Sequence, residues 1–380
     1  MFRKVKKLNH EGKGIIYTKS KILKIAHVLP NEVIEINSKQ VIKPSKYRVE
    51  PFCEFYYNCT GCNLQIANYE YQKKLKMKFI ERVLRKANLN IQIEDIEPSK
   101  SSHYLNIYDR NYYNIKVDSC PLLYENINEI LNTFPKSAII RGSDRLKDFI
   151  VLFGSQKLIN KKYITEVFNT RSDISGIAVK EENLIKPILG NTFYKERILN
   201  KTLKISFLSD FDKNIEIFER KIKYLRKIME KYEVKRGIFL KSEYYPVFLY
   251  EYLEYIHAIE RNGYNRKDLE EILKNYDILN CTILSSKASS AIRASKDFDL
   301  ILLNKPFLRY FKYIKENPFK NIVVILDKIK QLYPILKMMK SINYEILEIK
   351  AFDSFPHIFK FEIILFFRNS VSSTFFNKTN

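Results

Sequence analysis

From about residue 205 to the end, helical and strand patterns alternate, and this alternation constrains the fold more than any other feature of the chain. IEIFERKIKYLRKIMEKY reads as a helix and RGIFL as a strand. DLEEILKNY is helical again, followed by the short apolar segments CTILS, DLILLN and NIVVILD and then by YEILEIKAF and FEIILFF. Apolar strands of this kind are buried on both faces, and the intervening helices cover those faces, which gives an α/β sheet. Residues 1 to about 48 differ: KGIIYT, ILKIAHVL and EVIEIN, punctuated by Gly12, Gly14 and Pro30, predict a small all-β module. Between the two, YEYQKKLKMKFIERVLRKA sets Leu75, Phe79, Ile80, Val83 and Leu84 at helical spacing, a basic amphipathic helix packed by one face. Strand-like YYNIKV, AIIRG, FIVLFG and ISGIAV accompany a helix, LLYENINEILNTF, that is expected to start just after Cys120.

Cys53, Cys59 and Cys62 stand in CEFYYNCTGC, and Cys120 follows in SCPLL. Four clustered thiols in a chain with five cysteines and no apolar leader point to a reducing compartment, the cytoplasm, and to metal rather than disulfides. Structural zinc sites present two short cysteine pairs, whereas here one close pair exists, so the spacing favours an iron–sulfur cluster over zinc; unligated buried thiols are the alternative. Cys281 is left over on a strand.

The segment PFCEFYYNCTGCNLQIANYEYQKKLKMKFI resembles the iron–sulfur segment of the RNA uracil-5-methyltransferase family, and CPLLYENINEIL resembles the region of its fourth ligand. LNHEGKGIIY and HVLPNEVIEI are similar to the family's TRAM domain, and YDRNYYNIKV to a strand of its central domain with Asp109 inserted. The resemblance implies a multidomain α/β protein. It would comprise a TRAM/OB-like β-barrel over residues 1–48, a central α+β iron–sulfur domain over 49–204, and a Rossmann-like methyltransferase-type domain over 205–380. It also implies a 4Fe-4S cluster on Cys53, Cys59, Cys62 and Cys120.

Family chemistry adds a cysteine thiolate to C6 of a flipped uracil, methylates C5 from S-adenosylmethionine and removes the C5 proton with a glutamate. In DSFPHIFKFE, Asp353, Phe355, Pro356, His357 and Glu362 are kept, so Glu362 corresponds to the base; an ordinary surface charge is the alternative. Lys360 replaces the family's second histidine. Asp327 stands where the nucleophilic cysteine belongs and is expected to be a helix N-cap. The glycine-rich turn that seats S-adenosylmethionine reads IFLKSEYYPVFL, without glycine. Glu260 matches the ribose acid or is a solvated charge. D-P-P-R appears as NKPF (Asn304, Lys305, Phe307), and F-Q-x-N as FDKN, with Asp212 for glutamine.

Lys and Arg exceed Asp and Glu by 66 − 43 = +23, a balance that fits a polyanionic partner. The expectation is a monomeric, cytoplasmic RNA-binding iron–sulfur protein, away from membranes, with methyl transfer lost. Its RNA would be ribosomal or transfer RNA, met by Lys4, Lys6, Lys7, Lys13 and Arg110. An active uracil-C5 methyltransferase is the first alternative, and a cluster-dependent RNA-modifying enzyme the second.

Overall fold

The computed structural model describes residues 1–109, 115, 117–134, 138–155, 157, 159–182, 184–295 and 297–370. The N-terminal strands are β1 (Phe2–Lys4), β2 (Lys7–Leu8), β3 (Gly14–Tyr17), β4 (Ile22–Ile25), β5 (Val33–Glu35) and β6 (Val41–Lys43). They pair as two sheets, β1-β5-β6 and β2-β3-β4, around Val5, Ile16, Ile25, Val28 and Ile34. Glu32 is fully buried beside them. Its carboxylate accepts from Arg48 Nε at 2.6 Å and Nη2 at 2.8 Å and from the Leu29 and Ser45 N–H groups. A buried carboxylate needs such partners, so the clasp fixes the path by which the chain leaves this module.

The next helix, α1 (Tyr69–Lys86), is capped by Asn68, whose side chain accepts the Tyr71 N–H. It matches the helix expected from the spacing. Beyond it lie β7 (Ile107–Tyr108), α2 (Glu125–Thr133), β8 (Ile139–Ser143), β9 (Asp148–Phe153), α3 (Lys161–Thr170), β10 (Ile174–Glu181) and β11 (Leu184–Gly190). The strands form a sheet ordered β11-β10-β9-β8-β7. The YYNIKV strand falls largely outside the described residues. Helix α2 starts later than expected because the chain first turns, with the Leu123 N–H donating to the Cys120 carbonyl and Leu123 bridging Leu105. A hairpin of β12 (Phe193–Ile198) and β13 (Lys201–Ser206) follows, so β13 runs across residue 204.

The C-terminal part contains α4 (Ile215–Lys231), β14 (Arg236–Leu240), α5 (Pro246–Leu249), β15 (Tyr255–Ile259), α6 (Gly263–Asn275), β16 (Cys281–Leu284) and α7 (Ala288–Ala294). It ends with β17 (Leu300–Asn304), α8 (Tyr310–Glu316), β18 (Asn321–Leu326), α9 (Leu332–Ser341), β19 (Tyr344–Phe355) and β20 (Lys360–Asn369). Its sheet is ordered β16-β15-β14-β17-β18-β20-β19, parallel from β16 to β18 and antiparallel at β20. Alternate residues of β17 and β18 enter opposite cores, Ile301, Leu303, Ile322 and Val324 on one face and Leu300, Leu302, Val323 and Ile325 on the other. That double burial explains why these strands read as unbroken apolar runs. The strand order reverses between β14 and β17, and open α/β sheets bind ligands at the carboxyl ends beside such a reversal. Among the described residues no helix is long and apolar enough to cross a membrane.

The front of the chain is bolted to this sheet through the β19–β20 connection. Lys76 of α1 forms a fully buried ion pair with Asp353 and donates to the Phe355 carbonyl. Gln72 meets His357 twice, with Nε2 2.9 Å from Nδ1 and Oε1 accepting the His357 N–H. The His357 carbonyl in turn accepts from the Asn63 and Leu64 N–H groups of the cysteine segment.

Candidate functional site

Three places concentrate chemistry. The first is a cavity of about 220 Å³ whose lining contains Cys53, Cys59, Cys62 and Cys120 together. Local hydrogen bonds fix three of these cysteines. The Cys53 N–H donates to Gln65 Oε1, the Gly61 N–H donates to Cys59 Sγ at 3.3 Å, and Asn128 of α2 clasps both main-chain groups of Cys120. Burial pushes the Cys53 and Cys62 thiols up, Cys62 the more strongly. Among the described residues, no group of three or more His, Cys, Asp or Glu side chains is gathered closely enough to hold a metal ion. All four cysteines nevertheless line this one cavity. Phe355, Ile358 and Lys360 from the β19–β20 connection, and Lys213 ahead of α4, complete the wall. Burial and the Lys360 charge bring Lys213 down to about 8, while the Asp109 carboxylate opposes them. Cys281 lies apart, on β16.

The second place is the crevice at the carboxyl ends of β14, β15, β17 and β18. Lys241 and Glu243 after β14 both have positive φ, 55° and 44°, where glycine is ordinarily favoured. Ser242, Glu243, Tyr244 and Tyr245 are all buried, and the two tyrosines pack into the core beside α4. Glu243 pairs with Lys305 at 2.8 Å, and Tyr244 donates to Asp268 at 2.8 Å. Glu260 is buried, not the solvated charge that was one expectation; its two oxygens accept the Glu243 and Asn262 N–H groups at 3.1 and 2.9 Å. It therefore holds the turn from below, and burial raises its carboxyl.

Glu362 is likewise no surface charge. Lys221 of α4 lies 2.8 Å from both Glu362 and Asp212, and Ser354 also donates to Glu362. One ammonium serves two carboxylates. Burial acts to raise both; Lys221 and Lys305 outweigh it at Glu362 and hold that group below the usual range, whereas Asp212 stays raised beside it. Asp327 is not a helix cap: a short turn at Ile329–Gln331 follows Lys328, and helix α9 begins only at Leu332. Asp327 Oδ1, Asn304 Oδ1 and Ser242 Oγ are buried at the ends of neighbouring strands with no hydrogen-bond partner among the described residues. The sequence did not reveal the Lys221 and Lys305 pairings; the only signal was that charged residues replace the glycines and the D-P-P-R segment.

The third place is a pair of basic grooves. One, of about 300 Å³ between the N-terminal module and α1, is lined by Lys6, Lys7, Lys78, Arg82 and Arg85. The other, of about 660 Å³, is lined by Lys13, Lys24, Lys39 and Arg48 with His27 and Tyr57. The predicted lysines are thus divided: Lys6 and Lys7 face one groove, Lys13 the other, where it also pairs with Glu11. Lys4 is exposed on β1, and Arg110 lies outside the described residues.

The chain was compared with known proteins. No family model matches it. It is 40% identical over 94 residues to 23S rRNA (uracil(1939)-C(5))-methyltransferase RlmD of Vibrio campbellii, a match covering 22% of this chain and 21% of that protein. The matched part thus spans about a fifth of the length of that relative. An uncharacterized RNA methyltransferase of Prochlorococcus marinus is 24% identical over 410 aligned positions, covering 88% of this chain and 94% of that one. Among solved structures, Pyrococcus abyssi tRNA (uracil-54, C5)-methyltransferase in complex with S-adenosyl-L-homocysteine superposes with a TM-score of 0.74 at 16% identity, covering 97% of this chain and 100% of that chain. That likeness establishes a shared fold.

Proposed function

We propose, from the premise that this chain belongs to the RNA uracil-C5-methyltransferase family, that it is an RNA-binding iron–sulfur protein in which methyl transfer is lost. The observation that carries this reading is the turn after β14, which has no glycine and carries buried side chains. The backbone of such a turn approaches a cofactor closely where side chains are absent, and here Glu243, Tyr244 and Tyr245 stand in it, all buried. Glu243 is neutralised by Lys305, and the acid expected to meet the ribose already accepts two main-chain donors. The place of the nucleophile holds Asp327, a carboxylate and a weak nucleophile toward C6.

Four cysteines line one cavity, and thiolates are the donors that iron–sulfur clusters take. Cys53, Cys59, Cys62 and Cys120 would hold a 4Fe-4S cluster, which when bound cross-links two distant segments and has the capacity for one-electron chemistry. The cluster's role in this reading is structural. RNA, ribosomal or transfer, would lie along the two basic grooves, where Lys6, Lys7 and Lys13 neutralise phosphates. The division into modules at residues 48 and 204, with a TRAM-like first module, belongs to the same proposal.

A second reading, active uracil-C5 methyl transfer with S-adenosylmethionine, is favoured by the comparisons, since the similar proteins carry methyltransferase names. The partnerless buried atoms of Ser242, Asn304 and Asp327 also favour it, because polar atoms at strand ends are where a ligand's hydrogen bonds go. Incubation with RNA containing 5-fluorouracil separates the two readings. Loss of transfer predicts no protein–RNA adduct that survives denaturation. A stable adduct would establish a working nucleophile and the second reading.

A further inference from the structure

Tyr57 stands in the middle of the cysteine segment, CEFYYNCTGC, yet it lines the larger of the two basic grooves. It is 56% exposed, whereas its neighbour Tyr56 is buried. The ring is held in place: Tyr56 packs against it with centroids 5.1 Å apart and planes at 76°, and His27 at 5.7 Å and 69°, both in edge-to-face geometry. Contacts of this kind set the plane of a ring before a ligand arrives, which lowers the ordering cost of binding. The cations around the ring differ in their engagement. Arg48 is held by buried Glu32, and Lys13 meets Glu11 at 3.2 Å in a half-exposed pair of the kind that contributes little. Lys24 and Lys39 are exposed and have no ion-pair partner among the described residues.

A phosphate backbone alone would need only the cations. A fixed, exposed ring among them offers stacking to a nucleobase, and stacking is open to any base that has left its own stack. In a duplex both faces of each base are covered by its neighbours. We propose that this groove takes single-stranded RNA, with one unpaired base stacked on Tyr57 and the flanking phosphates met by Lys13, Lys24 and Lys39. This rests on the RNA-binding reading and deepens it by naming the form of RNA and the residue that selects it. The strand would then touch the same short segment that carries Cys53, Cys59 and Cys62.

The test is equilibrium binding of the full chain to single-stranded RNA oligonucleotides carrying 2-aminopurine at successive positions, and to the same strands in a duplex. The fluorescence of 2-aminopurine falls when the base stacks, and the chain has no tryptophan to interfere. The single strand is expected to bind more tightly than the duplex, with quenching at one position. Tyr57→Leu, which keeps an apolar side chain against Tyr56 and His27, should lose the quenching and about 5- to 100-fold in affinity, with the slope of log affinity against log salt unchanged. Tyr57→Phe should behave as the wild type. Lys24→Ala combined with Lys39→Ala should do the reverse, lowering that slope by about 1 to 1.5 and keeping the quenching. Urea midpoints establish that each variant folds; if Tyr57→Leu does not, quenching in the wild type and in Tyr57→Phe decides. Wild-type affinity and quenching in a folded Tyr57→Leu, no quenching at any position in the wild type, or equal affinity for the duplex would overturn the inference alone, since RNA would still bind. A wild-type chain that binds neither form at low salt would overturn the RNA-binding reading with it.

Discussion

His357 and Glu196 are buried groups whose protonation opposes across the same pH range. His357 is brought down to about 4 by burial, with Lys76 adding to the effect. The unfolded chain takes up that proton near the ordinary value of about 6.5, so stability is lost as pH falls from there toward 4, by up to about 3 kcal/mol. Glu196 is raised to about 7 by burial, against the Ser143 hydroxyl and the Arg145 charge that lower it. Its folded carboxyl keeps a proton that the unfolded chain has released. That contribution is complete below about pH 4.5 and is lost as pH rises through 7. Glu196→Gln should therefore raise urea resistance at pH 8 by about 1–3 kcal/mol, and His357→Gln should flatten the decline between pH 6.5 and 4. Denaturation midpoints across pH 4–8 check both; profiles parallel to the wild type would contradict the assignment.

At the scale of elements, the ion pair between Lys76 of α1 and Asp353 of β19 joins the two halves of the molecule, with both side chains at 0% exposure. Lys76→Met leaves a buried carboxylate without its cation, which typically costs about 3–5 kcal/mol. Replacing both partners by apolar residues, Lys76→Met with Asp353→Leu, should recover most of that loss in urea denaturation. An equal loss in the single and double variants would show that the pair carries no such coupling. The elements themselves were legible where burial is uniform: β14, β17 and β18 read as strands because both their faces enter cores. The gathering of Cys53, Cys59, Cys62 and Cys120 at one cavity was legible as well, because three of them lie within ten residues and the fourth begins a recognisable segment. The crevice was not. Glu362 reads as a lone charge on a late strand, since its partner Lys221 is 141 positions away and no local pattern joins them. Asp327 reads as a cap because an aspartate follows a strand, but the chain makes a short turn before α9 begins.

Across the whole molecule, the excess of positive charge and the two grooves predict RNA affinity that falls steeply with salt, as neutralised phosphates release counterions. Replacing Lys6, Lys7 and Lys13 together with alanine should reduce the slope of log affinity against log salt by about 2–3. An unchanged slope would place the RNA elsewhere. The central claim is that the chain shares the fold of the methyltransferase it superposes on while the turn after β14 carries buried side chains where a cofactor-binding turn has glycines. Titration calorimetry with S-adenosylmethionine, at millimolar ligand and with S-adenosyl-L-homocysteine in parallel, tests it most directly. The account predicts no saturable heat from either ligand, because Glu243, Tyr244 and Tyr245 occupy the turn. Stoichiometric binding of one molecule per chain would contradict it.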